Sequence, residues 1–266
     1  MKNVIAKKKF GQNFLKDESV LQKIVEAMPN NNNKVVEIGP GLGDLTKFLV
    51  DVKSVEAFEV DTDLCKILQS RFEKEIATNR FRLKCGDVLE AWKSELVEES
   101  YDLVANLPYY IATNIILKAL ADPKCKNILV MVQLEVAEKF CADVGDREFG
   151  ALSIITQSLG DTRIVVKVPP SAFEPQPKVD SAVFLIEKQS NRSDSDFELF
   201  LRAAFSQPRK TLIKNLSAHY AKDLLQKKFS ELNLIQTARP HEVSTNDYHQ
   251  LYKKTRSLDG RRESRN

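Results

Sequence analysis

Histidine, cysteine and tryptophan are scarce in this sequence: three, four and one among 266 residues. Cys65, Cys85, Cys125 and Cys141 stand far apart and form no CxxC. With so few histidines beside them they supply neither a zinc-ligand pattern nor a disulfide framework. No metal and a reduced chain are therefore expected. Long apolar runs are also missing. None approaches the roughly 18 residues that a membrane span needs, so no membrane partner is expected. The opening segment, MKNVIAKKKFGQNFLKDE, starts basic but lacks an apolar core and a small-residue cleavage site. It is not read as a secretory signal, and the expected location is cytoplasmic. An excess of one charge is absent as well, the net being only +3.

What charge there is falls in clusters. Lys2, Lys7, Lys8, Lys9 and Lys16 precede the first acid. Arg209, Lys210 and Lys214 form a second group, and Arg256, Arg261, Arg262 and Arg265 a third. Single lysines are ordinary solvated surface, but three basic groups around a neutral middle suit a phosphate-rich partner. Between about 34 and 187, apolar runs such as KVVEIG, SVEAFEVD and NILVMVQLE alternate with amphipathic segments such as TDLCKILQSRFEKE. That alternation predicts an α/β domain with a mostly parallel sheet. QSNRSDSD, residues 189–196, reads as a polar linker, and beyond it the pattern is helical. Two domains follow: 1–190, Rossmann-like and catalytic, and 191–266, a small all-helical unit suited to RNA.

Glycine numbers only nine, yet three lie within five positions, in Glu37-Ile38-Gly39-Pro40-Gly41-Leu42-Gly43. The loop follows the first long strand and opens a helix, where bare backbone can approach a ligand. Glu59 closes the next strand, twenty residues on from Gly39, and can accept both hydroxyls of a ribose. Asp87, in CGDV, closes the third and can accept the amino group of adenine. Each acid alone would serve equally as a helix cap. Together the three strand ends outline the crevice in which open α/β sheets bind ligands. The spacing is GxGxG rather than GxGxxG, and Glu37 and Pro40 make a poor pyrophosphate cradle. S-adenosylmethionine, which has no phosphate, is favoured over NAD.

The fourth strand ends in NLPYYI, residues 106–111. Pro108 cannot donate to a sheet ladder, so the strand stops there. An exocyclic amine on an aromatic base is a poor nucleophile, because its lone pair is delocalised. The Asn106 side-chain oxygen and the Leu107 carbonyl can each accept one N–H, drawing the nitrogen toward tetrahedral. Tyr109 offers a ring on which a base can stack, worth about 1–3 kcal/mol. Phe173, in SAFEPQPKVDSAV, is a candidate second face for a flipped-out base, with Lys178 behind it. An ordinary strand-ending loop and a core phenylalanine are the plain alternatives.

With KKKFGQNFL at 7–15, VVEIGPGLGDLT at 35–46, FEVD at 58–61, GDVLE at 86–90, NLPYYI at 106–111, FEPQPKVDSAV at 173–183 and AFSQPRKTLIKNL at 204–216, the chain resembles the ribosomal RNA adenine dimethyltransferases. It is most similar to their bacterial small-subunit type. The resemblance implies that Asn13 and Leu15 close over the methionine end of S-adenosylmethionine and that Gly39 and Gly41 line it. It implies that Glu59 holds the ribose, Asp87 and Val88 the adenine, and Asn106 both cofactor and target amine. Leu107 and Pro108 would shape that site, and Tyr109 and Phe173 would clamp the target adenine. Lys7, Lys8, Lys9, Lys178, Arg209, Lys210 and Lys214 would meet RNA. The implied reaction is dimethylation of two adjacent adenines near the 3′ end of 16S rRNA, within the small ribosomal subunit, by a monomer. Tyr110 and Pro208 depart from the usual pattern. Rival readings are a 23S rRNA methyltransferase of the macrolide-resistance type, a non-catalytic assembly factor, and an NAD oxidoreductase.

Overall fold

A computed structural model describes residues 12–191 and 194–259; Lys7, Lys8, Lys9 and the tail 260–266 lie outside them. The chain divides into two compact units. The first runs to Glu138 and resumes at Leu159–Asn191; the second comprises Lys139–Ser158 and the chain from Arg192 onward. The sequence reading put 139–158 with the first domain. That segment instead joins the second, because Ala142, Phe149 and Ile154 are buried with Phe197, Leu201, Leu216 and Tyr248.

In the first unit, β1 (Phe14–Leu15) and β8 (Phe173–Glu174) form a two-stranded ladder. The main sheet has seven strands: β2 (Lys34–Ile38), β3 (Val55–Glu59), β4 (Phe81–Cys85), β5 (Tyr101–Asn106), β6 (Cys125–Gln133), β7 (Gly160–Val168) and β9 (Ser181–Lys188). Their spatial order is β4-β3-β2-β5-β6-β9-β7. The first five run parallel, and β9 runs antiparallel to both of its neighbours, β6 and β7. Parallel strands are buried on both faces: β3 is buried at all five positions, Glu56 and Glu59 included, and β6 carries the continuous apolar run Ile128–Val132. The helices between them are α1 (Glu18–Glu26), α2 (Asp44–Val52), α3 (Thr62–Arg71), α4 (Glu73–Ala77), α5 (Val88–Ala91) and α6 (Ala112–Ala121). Leu45 and Leu49 of α2 and Leu68 of α3 bury with Val35, Val55 and Ala57 of the sheet. Asp17, Asp61 and Asp87 cap α1, α3 and α5 through their carboxylates.

The second unit contains α8 (Ala151–Leu159), α9 (Ser195–Ala204), α10 (Leu212–Leu216), α11 (Lys222–Glu231) and α12 (Thr245–Asp259); α7 (Leu134–Cys141) spans the division. Phe197 and Phe200 of α9 meet Tyr252 of α12 with ring centroids 5.2 and 5.5 Å apart. Aromatic pairs at such distances add specificity to an otherwise apolar core.

The expectation that no cysteines pair fails in one place. Cys65 and Cys85 are joined in a disulfide, while Cys125 and Cys141 remain thiols. The pair is 20 residues apart in sequence, but β4 lies beside β3 and brings Cys85 opposite Glu59, close to the start of α3.

Asp122, wholly buried, is the polar knot of the first unit. Its Oδ2 accepts hydrogen bonds from Trp92 Nε1 at 3.0 Å, Leu96 N at 2.9 Å and the Tyr101 hydroxyl at 2.8 Å. Its Oδ1 accepts from Lys124 N at 2.8 Å. Burial and this acid together push the Tyr101 phenol far above its ordinary range. Asp122→Ala strands several buried donors and is expected to destabilise the protein by about 3 kcal/mol or more. Urea unfolding checks this; a loss within experimental error would mean the donors find other partners.

Candidate active site

A cavity of about 160 Å³ opens at the carboxyl ends of β2, β3, β4 and β5. Residues 12–15, 37–42, 58–60, 86–89 and 106–111 line it, all of them in the first unit. The structure thus brings together Asn13, Leu15, Gly39, Gly41, Glu59, Asp87, Val88, Asn106, Leu107, Pro108 and Tyr109.

The glycine loop follows β2 and leads into α2. Gly41 has φ +63°, and a Cβ there would sit 3.2 Å from the Phe14 ring. Gly43 has φ +82°, and its Cβ would collide with Phe72 at 2.5 Å. Glycine is required at both positions, by conformation and by space. The loop also lends its backbone to Glu59. Glu59 Oε2 accepts from Gly41 N at 3.1 Å and Oε1 from Asp61 N at 2.9 Å. The carboxylate is held rigid, and each oxygen keeps a lone pair for a hydroxyl donor. Burial raises the Glu59 pKa, opposed by these N–H bonds. Glu37, fully buried, is pushed up to about 8 by burial; the Thr46 hydroxyl bonded to it at 2.7 Å works against the rise. Asp87 caps α5 through Leu89 N at 2.8 Å and also faces the cavity, so the cap and ligand readings coexist.

Asn106 ends β5, and its Nδ2 donates to the Asn13 carbonyl at 3.2 Å. With the amide nitrogen so used, Oδ1 is the acceptor presented to a ligand. Leu107 N is bonded to the Met131 carbonyl at 3.1 Å, which fixes the turn before Pro108. The half-buried Tyr109 hydrogen-bonds Ser181 Oγ through its hydroxyl at 2.7 Å. Tyr110, 60% exposed, lines the rim.

Phe173 requires a correction. It is 3% exposed, belongs to the core with Leu15, and does not line the cavity. As part of β8 it pairs with Leu15 of β1, so its ring underpins the N-terminal arm instead of facing a base. Lys178 is exposed in the first unit, and Arg209, Lys210 and Lys214 are exposed in the second. The reading from sequence missed Gln12, whose Nε2 donates to Asp61 Oδ2 at 3.1 Å, and Ser181. Both sit inside motifs already noted, GQNFL and KVDSAV, but nothing in one sequence says which polar residue of a motif turns inward.

The chain matches the family described as Ribosomal RNA adenine dimethylase over residues 3–256. It is 79% identical over 263 residues to the Ribosomal RNA small subunit methyltransferase A of Sulfurimonas denitrificans, covering 99% of this chain and 98% of that protein. The protein of the same name from Campylobacter jejuni is 44% identical over 264 residues, with 98% of each covered. Among solved structures, a dimethyladenosine transferase from Plasmodium falciparum superposes with a TM-score of 0.78 at 27% identity, over 91% of this chain and 98% of that one. The 23S rRNA methyltransferase ErmE gives a TM-score of 0.74 at 24% identity, over 92% and 100%, a likeness of fold alone.

Glu37 carries a testable consequence. Its raised pKa means that, between about pH 4.5 and 8, the folded chain keeps a proton that the unfolded chain releases. Stability contributed by this group therefore declines as pH rises through that window. A cation entering the same cavity favours the carboxylate. Binding of S-adenosylmethionine at pH 7 is expected to release a proton, up to about one per ligand. Titration calorimetry in two buffers of different ionisation enthalpy measures it, and Glu37→Gln should abolish the release. Equal heats in both buffers for the unmodified protein would show that Glu37 does not titrate with binding.

Proposed function

Because the chain belongs to the ribosomal RNA adenine dimethylases, we propose that it transfers methyl groups from S-adenosylmethionine to N6 of two adjacent adenines near the 3′ end of 16S rRNA, dimethylating each within the small subunit. The relatives' printed name, small subunit methyltransferase, supports that target over large-subunit RNA. The observation that carries the mechanism is the Asn106 amide. It stands at a strand end in the same cavity as Glu59, with its nitrogen engaged and its oxygen available. The protein works as a cytoplasmic monomer, and among the described residues no group of acids, histidines and cysteines is arranged to hold a metal.

The cavity suits the cofactor chemically. Rigid glycine backbone gives close approach, Glu59 offers oxygens to ribose hydroxyls, and Asp87 and Val88 border the place for adenine. Glu37 and Glu59 set acidic groups beside a ligand that carries positive charge. Asn13 and Leu15 border the methionine end. When bound, S-adenosylmethionine supplies an electrophilic methyl group. The chain's own task is to hold and prepare the amine. Asn106 Oδ1 and the Leu107 carbonyl each accept one N–H of the adenine N6, withdrawing the lone pair from the ring. Neither oxygen takes the proton; it leaves to water after transfer. Tyr109, with Tyr110 at the rim, gives the base a ring to stack on. The hydroxyl bond to Ser181 fixes the plane of Tyr109, so removing that hydroxyl should also be felt.

The acceptor bond strengthens as the nitrogen rehybridises, so its loss falls on the chemical step. Asn106→Ala is expected to slow single-turnover methylation of unmethylated small subunits about a hundredfold, or about 3 kcal/mol, at saturating cofactor. A near-normal rate would remove Asn106 from the chemistry. Mass mapping of the product should find two adjacent dimethylated adenines; methylation confined to large-subunit RNA would overturn the target.

Arg209, Lys210 and Lys214 of the second unit, together with Lys178 and with Lys7, Lys8 and Lys9, are proposed to meet RNA phosphates. Each neutralised phosphate contributes about −0.7 to −0.9 to the slope of log affinity against log salt. Changing Arg209 and Lys210 together to Ala should weaken binding to small subunits and flatten that slope, with S-adenosylmethionine binding intact. An unchanged slope would place both side chains in free solvent.

A further inference from the structure

We propose that Cys65 and Cys85 form a thiol–disulfide exchange site on the outer wall of the cofactor cavity. Dithiols open it, low-molecular-weight disulfides close it, and its state sets how tightly the adenosine end of the cofactor is held. The proposal rests on the adenosine lying against Glu59 and Asp87.

Cys65 lies in the first turn of α3 and is 4% exposed; Cys85 ends β4 and is exposed. Their Cα atoms are 6.3 Å apart, inside the span that a disulfide bridges without moving the backbone. The bond joins two connections that both line the cavity. One carries Glu59, Val60 and Leu64, the last adjacent to Cys65. The other carries Gly86, Asp87 and Val88, directly after Cys85. Without the bond, the second connection is tied to the first by sheet pairing up to Cys85 and by Gly86 N donating to the Glu59 carbonyl at 2.8 Å. Gly86 itself has φ +147°, and a Cβ built on it meets no atom within 4 Å. A glycine with that freedom, next to the crosslink and just before Asp87, is where the segment can swing once the crosslink opens.

The location separates this pair from a structural staple. The first unit has a large apolar core of its own, so it does not need a crosslink as small secreted domains do. In a reducing compartment a disulfide of this kind is a transient one. Access is one-sided. A dithiol's thiolate attacks the exposed Cys85 sulfur, breaking the Cys65–Cys85 bond. The displaced Cys65 sulfur leaves with the electron pair and takes a proton. The second thiol of the reagent then attacks the mixed disulfide at its own sulfur, releasing Cys85 as a thiol and the reagent as a cyclic disulfide. Closure by glutathione disulfide is the reverse sequence, with two glutathione thiols as products.

The test is calorimetric binding of S-adenosylmethionine to the full-length protein equilibrated with either dithiothreitol or glutathione disulfide. Thiols are counted by alkylation and mass analysis in each state. The oxidised protein should show only Cys125 and Cys141 alkylated after unfolding, and the reduced protein all four cysteines. The reduced form should bind roughly three- to tenfold more weakly, the cost of ordering a freed segment. Cys85→Ser should bind like the reduced form in both buffers, and Cys65→Ser should do so in dithiothreitol, its Cys85 being open to a mixed disulfide with glutathione in the other buffer; the exposed Cys85 position keeps the test open if the Cys65→Ser variant, changed at a buried position, misfolds. Four alkylated cysteines after glutathione disulfide, or equal affinity in the two states, would overturn the proposal. Glu59→Ala run alongside identifies which premise fails. If it lowers affinity while redox state does not, the exchange site alone is wrong; if it leaves affinity unchanged, the adenosine does not lie on this wall and the proposal falls with that placement.

Discussion

Five parallel strands put all their carboxyl ends on one edge of the sheet, and the reversal of order between β2 and β5 leaves that edge open at its middle. Nearly everything else in the first unit follows from this. The chain leaves β2 toward one side and β5 toward the other, so the two following connections diverge, and a ligand can sit between them. Glu59, Asp87 and Asn106 come from three different strand ends, yet they face one cavity because parallel pairing sets those ends side by side. The helices on either face keep water off the strands, and caps at Asp61 and Asp87 start α3 and α5 immediately beyond them. The acids are placed by the sheet rather than by their own conformational choices.

That dependence explains what could be read from the sequence. Alternation of apolar runs and amphipathic segments is a local signal, and it carried the α/β class, the parallel strands and the strand-end positions of Glu59, Asp87 and Asn106. Pairing between distant segments leaves no such trace. β1 and β8 are two residues each, too short for any periodicity, and they pair across more than 150 residues. Their pairing turned Phe173 inward, where its surroundings in SAFEPQPKVDSAV had suggested an exposed aromatic. The same limit hid the grouping of 139–158 with the C-terminal helices. Its helices have ordinary amphipathic patterns, and a pattern says that a face is buried without saying against what. The cysteine pair was missed for a related reason: spacing of 20 residues means nothing until β3 and β4 are known to be neighbours.

The N-terminal arm shows how such long-range pairing builds the site. Lys16 N is bonded to the Ala172 carbonyl at 2.8 Å, and β1 lies on β8. This holds Asn13 where its carbonyl can take the Asn106 amide, and Phe14 where its ring covers Gly41. Gln12 ties the same arm to Asp61, whose backbone N–H is bound by Glu59. Hydrogen bonds thus join Glu59, Asp61 and Gln12 on one side and Asn13 and Asn106 on the other, and the chain itself links Gln12 to Asn13. Such linkage favours a single arrangement of the cavity, because the arm and the strand ends hold one another in place.

The choice of an amide at position 106 fits a reaction that occurs twice on one nitrogen. At the first transfer the adenine N6 carries two N–H bonds, and Asn106 Oδ1 and the Leu107 carbonyl can accept one each. At the second transfer only one N–H remains, and one acceptor must go without. An aspartate there would be a stronger acceptor, but its charge would attract the positively charged methylated amine and hold it after transfer. It would also add a further acid to a cavity that already holds Asp87 and the buried Glu37 and Glu59, both raised by burial. An amide is neutral in every state of the cycle. Its attraction for the nitrogen depends on the N–H alone and vanishes when the last hydrogen has been replaced. With the roles proposed for Asn106 and Tyr109, a fully dimethylated base would have nothing to bond at that strand end and would be held only by stacking, which would let the product leave.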